Sequence, residues 1–275
     1  MIAAVVPAKN ESSGIGSVLN MLSLLPVDLV IPVINGCDDN SLEKALENSR
    51  VITNILYSKQ PLGPDVPRAI GAKAAYDKMA DYVLFVDGDM QSPATLDALK
   101  HLLSAATSAR LDMALSDCYP GSHPNNSLAE LVLYFRGKLN VKIGMPWLGS
   151  ASPSHGPHLL SRSFLEAVSF RELAVPPVSL ALAAKITGLN IAIGAKIPHR
   201  SLGSPYRSRS HARDMAKTII GDCIEAMNVF DGKDRHRVLG RREYLGFHLQ
   251  RNWQLLDMFL QKTTDSSQII VEKLL

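Results

Sequence analysis

The sequence predicts an α/β fold, with a mostly parallel central sheet flanked by helices and a helical extension at the C-terminus. Three observations lead to this prediction. Short apolar runs alternate with polar turns and helical spacing in the N-terminal half. One of these runs, residues 82–86, ends abruptly in Asp87-Gly88-Asp89. From Asp214 onward, the apolar residues have helical spacing instead.

The individual elements follow from where each apolar run stops. Each expected strand ends at a cluster of Gly, Pro, Asn, Asp or Ser, and each expected helix has apolar or small residues on one face. In the N-terminal half we expect strands at 2–6, 29–34, 51–56 and 82–86, and helices at 18–25 and 68–76. The 68–76 helix consists of small residues, which allows a close approach to the sheet or to a ligand.

The C-terminal half is expected to be mainly helical. We expect a loop or helix end at 134–138, a helix beginning at 159–165, a helix at 210–227, a second amphipathic helix within 245–260 and a loose tail at 263–275. The apolar faces of the two amphipathic helices are compatible with docking onto the sheet and with a homodimer.

The Asp87-Gly88-Asp89 turn is the strongest candidate for a functional site. A buried strand delivers two carboxylates to its C-terminal end, which is the edge at which open α/β sheets bind ligands. Two carboxylates held so close repel each other unless a cation lies beside them. Oxygen ligands of this kind suit Mg²⁺ or Mn²⁺ carrying a diphosphate. A pair of solvated turn residues is the alternative, because Asp and Gly are common after strands.

Four segments in this order resemble the motifs of the family 2 glycosyltransferases of the GT-A fold: 7–11, 35–41, 68–71 and 87–89. The resemblance covers about the first third of the chain. It implies that the loops after the first two strands hold a nucleoside and that the Asp-Gly-Asp turn binds metal and diphosphate. Carried over residue by residue, it gives nucleotide-binding roles to Pro7, Ala8, Asn10, Glu11, Asn35, Arg68, Asp87 and Gly88.

The same resemblance makes Asp89 the direct metal ligand and places Asn35 against the base. Many members have an aspartate where this chain has Asn35. Because an amide both accepts and donates hydrogen bonds, Asn35 does not choose between uracil and guanine. The donor is therefore expected to be a UDP- or GDP-sugar.

A second segment, 191–207, resembles the C-terminal portion of retaining GT-A enzymes of the glucosyl-3-phosphoglycerate synthase type. This resemblance implies that His199 completes the metal site with Asp89 and Asp87. It also implies that Arg200 and Arg207 meet the diphosphate or an anionic acceptor. A surface histidine and a solvated basic face are the alternatives for these residues.

The stereochemistry depends on a carboxylate that the sequence lacks at the expected place. Inverting members of the resembling family carry an acidic pair in the acceptor half, where a general base must deprotonate the attacking hydroxyl. The corresponding stretch, 173–182, contains no carboxylate, which favours retention, although Asp117 or Glu166 could supply a base. On this hypothesis the catalytic groups are Asp89, Arg68 and Arg200.

The acceptor is expected to contact the Gly-, Ser- and Pro-rich segment 146–158. In the resembling families a small-residue turn here lies under the sugar and the acceptor. The candidates are Gly149, His155, Gly156 and His158, together with Arg207. An ordinary surface loop explains the segment nearly as well.

Composition limits the class of protein. With 275 residues, 46% of them hydrophobic, the chain can bury a sizeable core, and a net charge of +3 is too small to indicate nucleic-acid binding. The basic excess at 200–242 is interpreted as a solvated turn between helices, rather than a surface for a membrane, an acidic acceptor or a partner. Three cysteines without metal spacing favour a reducing cytoplasm, and neither a signal peptide nor a membrane span is predicted, although peripheral membrane contact stays open.

The favoured function is metal-dependent transfer of a sugar from a nucleotide-diphosphate sugar to a small, anionic acceptor with retention. One alternative is a nucleotidyltransferase, which would need a Gly-rich, Arg-containing phosphate loop that this sequence lacks. Another is a non-catalytic nucleotide-sugar-binding module. We expect a catalytic domain at 1–207, with a nucleotide-binding half at 1–118 and an acceptor half at 119–207, and a helical extension at 208–275.

Overall fold

The computed structural model describes residues 1–48, 54–121, 127–205, 208–262 and 270–274. Its strands are β1 (Ile2–Ala8), β2 (Leu29–Asn35), β3 (Asn54–Ser58), β4 (Tyr82–Phe85), β5 (Met113–Asp117), β6 (His158–Ser161), β7 (Ile191–Lys196), β8 (Val238–Leu239), β9 (Arg242–Glu243) and β10 (Ile270–Leu274). Its helices are α1 (Ile15–Leu22), α2 (Ser41–Leu46), α3 (Val66–Asp77), α4 (Pro93–Ser108), α5 (Ser127–Lys142), α6 (Arg162–Ala167), α7 (Pro176–Ala183), α8 (Arg209–Phe230) and α9 (Trp253–Leu260). Short 3₁₀ turns lie at 146–148, 170–174, 199–201 and 246–250.

Eight strands form one sheet in the order β10-β3-β2-β1-β4-β6-β5-β7. Neighbours among β3, β2, β1 and β4 are parallel, as are β5 and β7, whereas β6 is antiparallel to both β4 and β5. The carboxyl ends of the parallel strands therefore meet at one edge, together with the amino end of β6. This mostly parallel sheet confirms the predicted fold class.

Helices cover both faces of the sheet because alternate strand residues face opposite layers. Ala3 and Val5 of β1 belong to the core that includes α3, α5, α7 and α8, whereas Ala4 and Val6 belong to the core with α1 and α4. Gly71 of α3 lies so close to the sheet that an added Cβ would be 2.3 Å from Val5 Cγ1. The expectation that the small-residue helix approaches closely is confirmed for the sheet.

Three local predictions differ from the structure. The third strand runs from Asn54 to Ser58, and residues 51–53 lie outside the described residues. The segment 159–165 begins as β6, and the helix starts only at Arg162, because Ser161 Oγ caps it by accepting from Phe164 N at 3.1 Å. Residues 134–138 lie inside α5 rather than in a loop or at a helix end.

The C-terminal region is helical at first and then rejoins the sheet. Helix α8 packs against α5 and α7, and the second predicted helix is confined to α9, where Asn252 Oδ1 accepts from Leu255 N at 3.1 Å. The loose-tail prediction is wrong for β10, which pairs antiparallel with β3. Residues 263–269 and 275 lie outside the described residues. In the part of the chain that the structure describes, no helix is both long and apolar enough to cross a membrane.

The basic segment 200–242 is not simply a solvated turn. The side chain of Arg237 is buried and bonds Asp222 Oδ1 at 2.6 Å and Glu225 Oε2 at 2.9 Å. Arg235, which is more exposed, bridges Glu225 and Glu172. The interpretation as a solvated turn is therefore wrong for these two arginines, because acidic residues distant in the sequence pack against them.

Candidate nucleotide and metal site

Several connecting segments meet at the carboxyl edge of the sheet. Five of them follow the parallel strands: 9–14 after β1, 36–40 after β2, 86–92 after β4, 118–121 after β5 and 197–203 after β7. The sixth, 149–157, precedes β6, because β6 runs in the opposite direction. This edge is where open α/β sheets bind ligands, because the loops there diverge and leave a crevice.

The Asp-Gly-Asp turn lies directly against the first loop. Gly88 N donates to Pro7 O at 3.0 Å, and a Cβ added to Gly88 would be 3.2 Å from Ala8 Cβ. A Cβ added to Gly14 would be 2.9 Å from Gly88 O. Because neither glycine leaves room for a side chain, the two segments that carry the predicted nucleoside and metal residues form one packed unit.

The first loop is tied in turn to the segment after β2. Glu11 N donates to Ser41 Oγ at 2.7 Å, and Ser12 N donates to Asp39 Oδ2 at 3.1 Å. Burial alone would raise the pKa of Asp39, but hydrogen bonds from Ser41 and Ser12 lower it overall. Asp39 is therefore an ionised brace between the two loops.

Two asparagines predicted to contact the nucleoside also fix the loops. Asn10 adopts a positive φ of 58°, and its Oδ1 accepts from Asp38 N at 3.0 Å. Asn35 is buried, accepts from Leu62 N at 2.6 Å and donates to Gly63 O at 3.1 Å. The side-chain amide of Asn35 thus holds the segment that leads into α3, and its contact with a base stays a prediction.

Arg68, on the first turn of α3, connects the predicted metal turn to Asp65. Its Nη2 donates to Asp87 Oδ1, and its Nη1 donates to Asp65 Oδ1 at 2.5 Å. Burial raises the pKa of Asp87 to about 6, with Asp89 and Asp65 adding to the rise and Arg68 opposing it. The pKa of Arg68 is raised despite its burial, because Asp87 and Asp65 stabilise the cation.

The turn after β7 is fastened to the start of α4, just past Asp89. Ser92 Oγ donates to Ser201 O, and Thr95 Oγ1 donates to Leu202 O at 3.1 Å. Gly203 has a φ of +87°, and a Cβ there would be 2.7 Å from Ser92 N. This docking brings the turn that contains His199 beside the Asp-Gly-Asp turn.

His199 interacts electrostatically with Asp89. Although His199 is exposed at the surface, partial desolvation of its imidazole and the charge of Arg136 lower its pKa, while Asp89 opposes this effect. The imidazole is therefore neutral at pH 7, which is the form that binds metals. Its backbone N donates to Cys118 O at 2.8 Å, so the loop after β5 helps to position it.

A group of aromatic rings continues from His199 into the acceptor side. The ring centroids of His155 and His199 are 4.9 Å apart, and Tyr119 lies 5.8 Å from each. Burial, with a contribution from Arg136, holds the pKa of His155 well below its usual range. His155 and His199 are thus neighbours, and the acceptor-binding role of His155 stays a prediction.

No family model matches the sequence, and no curated protein matches it. Glucosyl-3-phosphoglycerate synthase from Mycobacterium tuberculosis, solved with Mn²⁺, UDP-glucose and phosphoglyceric acid, is similar in structure with a TM-score of 0.61 and 21% identity, over 85% of this chain and 80% of that chain. Two further structures of that enzyme are also similar, and each match covers 85% of this chain and 81% of that chain. The structure with Mn²⁺, UDP and glucosyl-3-phosphoglycerate has a TM-score of 0.59 and 17% identity. The structure with Mn²⁺, UDP-glucose and glycerol 3-phosphate has a TM-score of 0.58 and 19% identity.

This chain has the GT-A fold. At such identities the similarity establishes the architecture, and the chemistry has to be argued from this chain's own residues. In the GT-A fold of this chain, the Asp-Gly-Asp turn, the first loop and the turn with His199 all lie at one sheet edge.

The remaining predicted acceptor residues have structural contacts of their own. Gly149 O accepts from Asn140 Nδ2 at 2.8 Å, and a Cβ on Gly156 would be 2.5 Å from Cys118 Sγ. His158 is 3% exposed and stacks on Phe85 with ring centroids 4.7 Å apart. Arg200 is exposed beside His199, whereas Arg207 lies outside the described residues.

Asp117 and Glu166, the two candidates for a general base, lie at opposite ends of the strands of the sheet. Asp117 ends β5 at the site edge, where its Oδ1 accepts from Tyr119 N at 3.0 Å. Glu166 pairs with Arg162 at 3.0 Å, and Arg162 N donates to Asp81 O just before β4 begins. The hypothesis that Glu166 could reach the site is therefore wrong, because the length of the sheet separates it from Asp87.

The predicted metal residues fit a hard divalent cation by donor type, since they offer two carboxylates and a neutral imidazole. Their ligand atoms are not gathered within 4.8 Å of one another. Among the described residues, one group of three is gathered within that distance: Asp222, Glu225 and His248. Arginines bond both of its carboxylates, so this group is an ion-pair cluster rather than a metal centre.

Sequence reasoning assigned no role to Arg136, which the structure brings close to this site. Arg136 is on α5, and its charge lowers the pKa of both His155 and His199. The available signal was an arginine next to Phe135 and Leu139 in an otherwise apolar helix face, since cations are rarely placed there without a reason.

Proposed function

We propose that this protein is a metal-dependent hexosyltransferase that moves a sugar from a nucleotide-diphosphate sugar to a small acceptor. The observation that carries this proposal is the packing of the Asp-Gly-Asp turn against the first loop, with Arg68 bonded to Asp87 and His199 beside Asp89. The fold comparison supports it, because the similar solved structures contain Mn²⁺ with UDP or UDP-glucose.

In this proposal the nucleoside lies between the first loop and the segment after β2. The cross-links from Glu11 to Ser41 and from Asn10 to Asp38 give that crevice a fixed shape. Pro7 and Ala8 form its floor, where Gly88 packs. A UDP-sugar is the first donor to test, and a GDP-sugar is the second.

Asp89, Asp87 and His199 would hold the metal. When bound, Mn²⁺ or Mg²⁺ supplies positive charge to the diphosphate leaving group. Arg68 keeps Asp87 ionised by opposing the rise of its pKa, so that the carboxylate is available at neutral pH. Arg200, which is exposed and follows His199 in the sequence, would meet the same diphosphate and stabilise its growing charge.

Retention is the proposed stereochemical outcome. The stretch that would carry a base in an inverting enzyme has no carboxylate and packs into the core through α7. Glu166 lies at the opposite edge of the sheet. In the proposed retaining reaction, an oxygen of the leaving diphosphate accepts the acceptor's proton on the same face.

The acceptor is proposed to be small and anionic. Phosphoglyceric acid and glycerol 3-phosphate are the acceptor-like molecules in the similar solved structures. In this chain, the imidazoles of His155 and His199 lie beside Tyr119, and the positive charge of Arg136 acts on both imidazoles.

We also propose a division at about residue 207, with 1–118 and 119–207 as the nucleotide and acceptor halves and 208–275 as an extension. Three free thiols support a reducing, cytoplasmic setting, and a homodimer stays a prediction.

Thermal unfolding with UDP, GDP, CDP and ADP, each with and without Mn²⁺, tests the donor site. We expect one diphosphate to raise Tm in the parent only when metal is present, and not to do so in Asp89→Asn. A ligand present at 100 times its Kd raises the free energy of unfolding by about 2.7 kcal/mol. Asp97→Asn is the matched control, because this exposed acid lies on α4 away from the turn.

Product analysis then separates the alternatives. A nucleotidyltransferase would form pyrophosphate from a nucleoside triphosphate and a sugar phosphate. A binding module would bind the donor with neither transfer nor slow hydrolysis. If no diphosphate changes Tm, the glycosyltransferase proposal is wrong.

A further inference from the structure

Arg136 is a buried cation without an acidic partner among the described residues. Its side chain is 2% exposed, and the hydrogen bond recorded for it joins Nη2 to Ser154 Oγ at 3.3 Å. Its Nε is buried and has no hydrogen-bond partner among the residues that the structure describes, which also holds for Nε of Arg68 and Arg251. Burial lowers the pKa of Arg136, because no carboxylate nearby compensates for the lost hydration.

The other buried arginines show how unusual this is. Arg237, 4% exposed, bonds Asp222 and Glu225, and Arg251, 3% exposed, bonds Asp222 and Asp65. Arg68 also has two carboxylate partners. A buried charge without a partner destabilises the folded chain, so the position of Arg136 calls for an anion that the described residues do not supply.

A second unpartnered group points to the same space. His155 Nε2 is buried without a hydrogen-bond partner in the described part of the chain, and the Arg136 charge acts on this imidazole. The neutral ring can present an N–H from Nε2 in one of its tautomers. His199, which is exposed and lies 4.9 Å from His155 between ring centroids, connects this pair of side chains to the sheet edge.

We propose that Arg136 and His155 form an oxyanion-binding site beside the Asp-Gly-Asp turn, which takes a phosphate or carboxylate group. Guanidinium N–H groups bind such oxyanions through charge-assisted hydrogen bonds. The group belongs either to the acceptor or to the diphosphate of the donor, and this assignment rests on the proposed function. The site itself rests on the two unpartnered side chains.

The first test uses inorganic phosphate alone, with no metal and no nucleotide. Phosphate is expected to raise Tm of the parent protein, compared with chloride at equal ionic strength. Arg136→Met is expected to lose this response and to have a ligand-free Tm equal to or above that of the parent, because an unpaired buried charge has been removed. His155→Phe keeps a ring but offers no Nε2, and we expect it to weaken phosphate binding at least tenfold.

Arg237→Met is the matched control. It removes an equally buried arginine that has two acidic partners, so its ligand-free Tm should fall well below that of the parent. A full phosphate response in both Arg136→Met and His155→Phe, or no response in the parent, would overturn the proposal. A fall in the Tm of Arg136→Met as large as that of Arg237→Met would also overturn it.

A second arm identifies the source of the oxyanion. UDP with Mn²⁺ is titrated into the parent and Arg136→Met. At least tenfold weaker binding in the variant assigns the site to the donor diphosphate, and unchanged binding assigns it to the acceptor. The phosphate test involves neither a donor nor a transfer reaction. The oxyanion-site proposal and the glycosyltransferase proposal can therefore be refuted independently of each other.

Discussion

Arg251 donates from Nη2 to Asp65 Oδ2 at 3.0 Å, although the two residues are 186 positions apart. The other oxygen of Asp65 accepts from Arg68, which in turn bonds Asp87. Arg251 also bonds both oxygens of Asp222 on α8 at 2.8 Å. Alternating charges thus connect the C-terminal extension to the predicted metal turn.

Arg251→Met should strongly destabilise the protein. The substitution leaves the buried carboxylate of Asp222 with one arginine fewer and removes one of two partners of Asp65. We expect the free energy of unfolding in urea to fall by about 3–5 kcal/mol. Lys44→Met, which breaks an exposed pair with Glu47, should change it by less than about 1 kcal/mol, and equal effects of the two variants would contradict the charge-network interpretation.

His158 should make the protein less stable in acid. Burial, with a contribution from the Arg68 charge, lowers its pKa to about 3, whereas an unfolded chain takes up the proton near its ordinary value of 6.5. The unfolded state therefore binds more protons as pH falls from 6.5 toward 3, and stability declines by up to about 1.4 kcal/mol per pH unit. Urea unfolding at pH 7, 6, 5 and 4 measures this decline.

His158→Phe keeps an aromatic ring against Phe85 and should make that decline less steep, while His155 and His248, whose pKa values are also lowered, keep part of it. His101→Phe, at an exposed position of α4, is the control and should leave it unchanged. An equally steep decline in His158→Phe would show that another group causes it.

Gly63→Ala should destabilise the protein more than Gly188→Ala. Both glycines have positive φ angles, +79° and +96°, so both substitutions strain the backbone by about 1–2 kcal/mol. Only at Gly63 would the new Cβ also lie 2.1 Å from Gln250 O, whereas nothing lies within 4 Å at Gly188. The difference in urea midpoint between the two variants measures how tightly residues 250–252 hold the loop before α3. Equal midpoints would mean that the backbone at Gln250 can shift at little cost in stability.

Nucleotide binding should protect Cys37 from thiol reagents. Cys37 Sγ accepts from Asn10 N at 3.2 Å, within the loops proposed to hold the nucleoside. Cys118 and Cys223 are buried, and burial raises the pKa of each to about 12, so they should react slowly. Labelling followed by mass spectrometry should show slower modification of Cys37 with UDP and Mn²⁺, and Cys37→Ser identifies its signal. Unchanged labelling at saturating nucleotide would place the nucleoside elsewhere.

Patterns of residue type along the sequence correctly predicted the strands and helices that depend mainly on residues close together in the sequence. The run 82–86 followed by Asp-Gly-Asp and the small-residue helix around Gly71 were both readable, because strand alternation, turn residues and close packing depend on near neighbours. The pairing of β10 with β3 and the strand at 158–161 were not, because a short apolar run becomes a strand only when a partner edge is present.

The sequence by itself determined the fold class and the two carboxylates at a strand end, since residue type and spacing are enough to specify a buried strand and the turn that follows it. Only the tertiary structure decided which charges have partners. Arg237 and Arg251 find carboxylates through contacts between distant segments, whereas Arg136 is enclosed without one among the described residues. Burial makes a charge costly, and whether that cost is offset depends on what the folded chain places beside it.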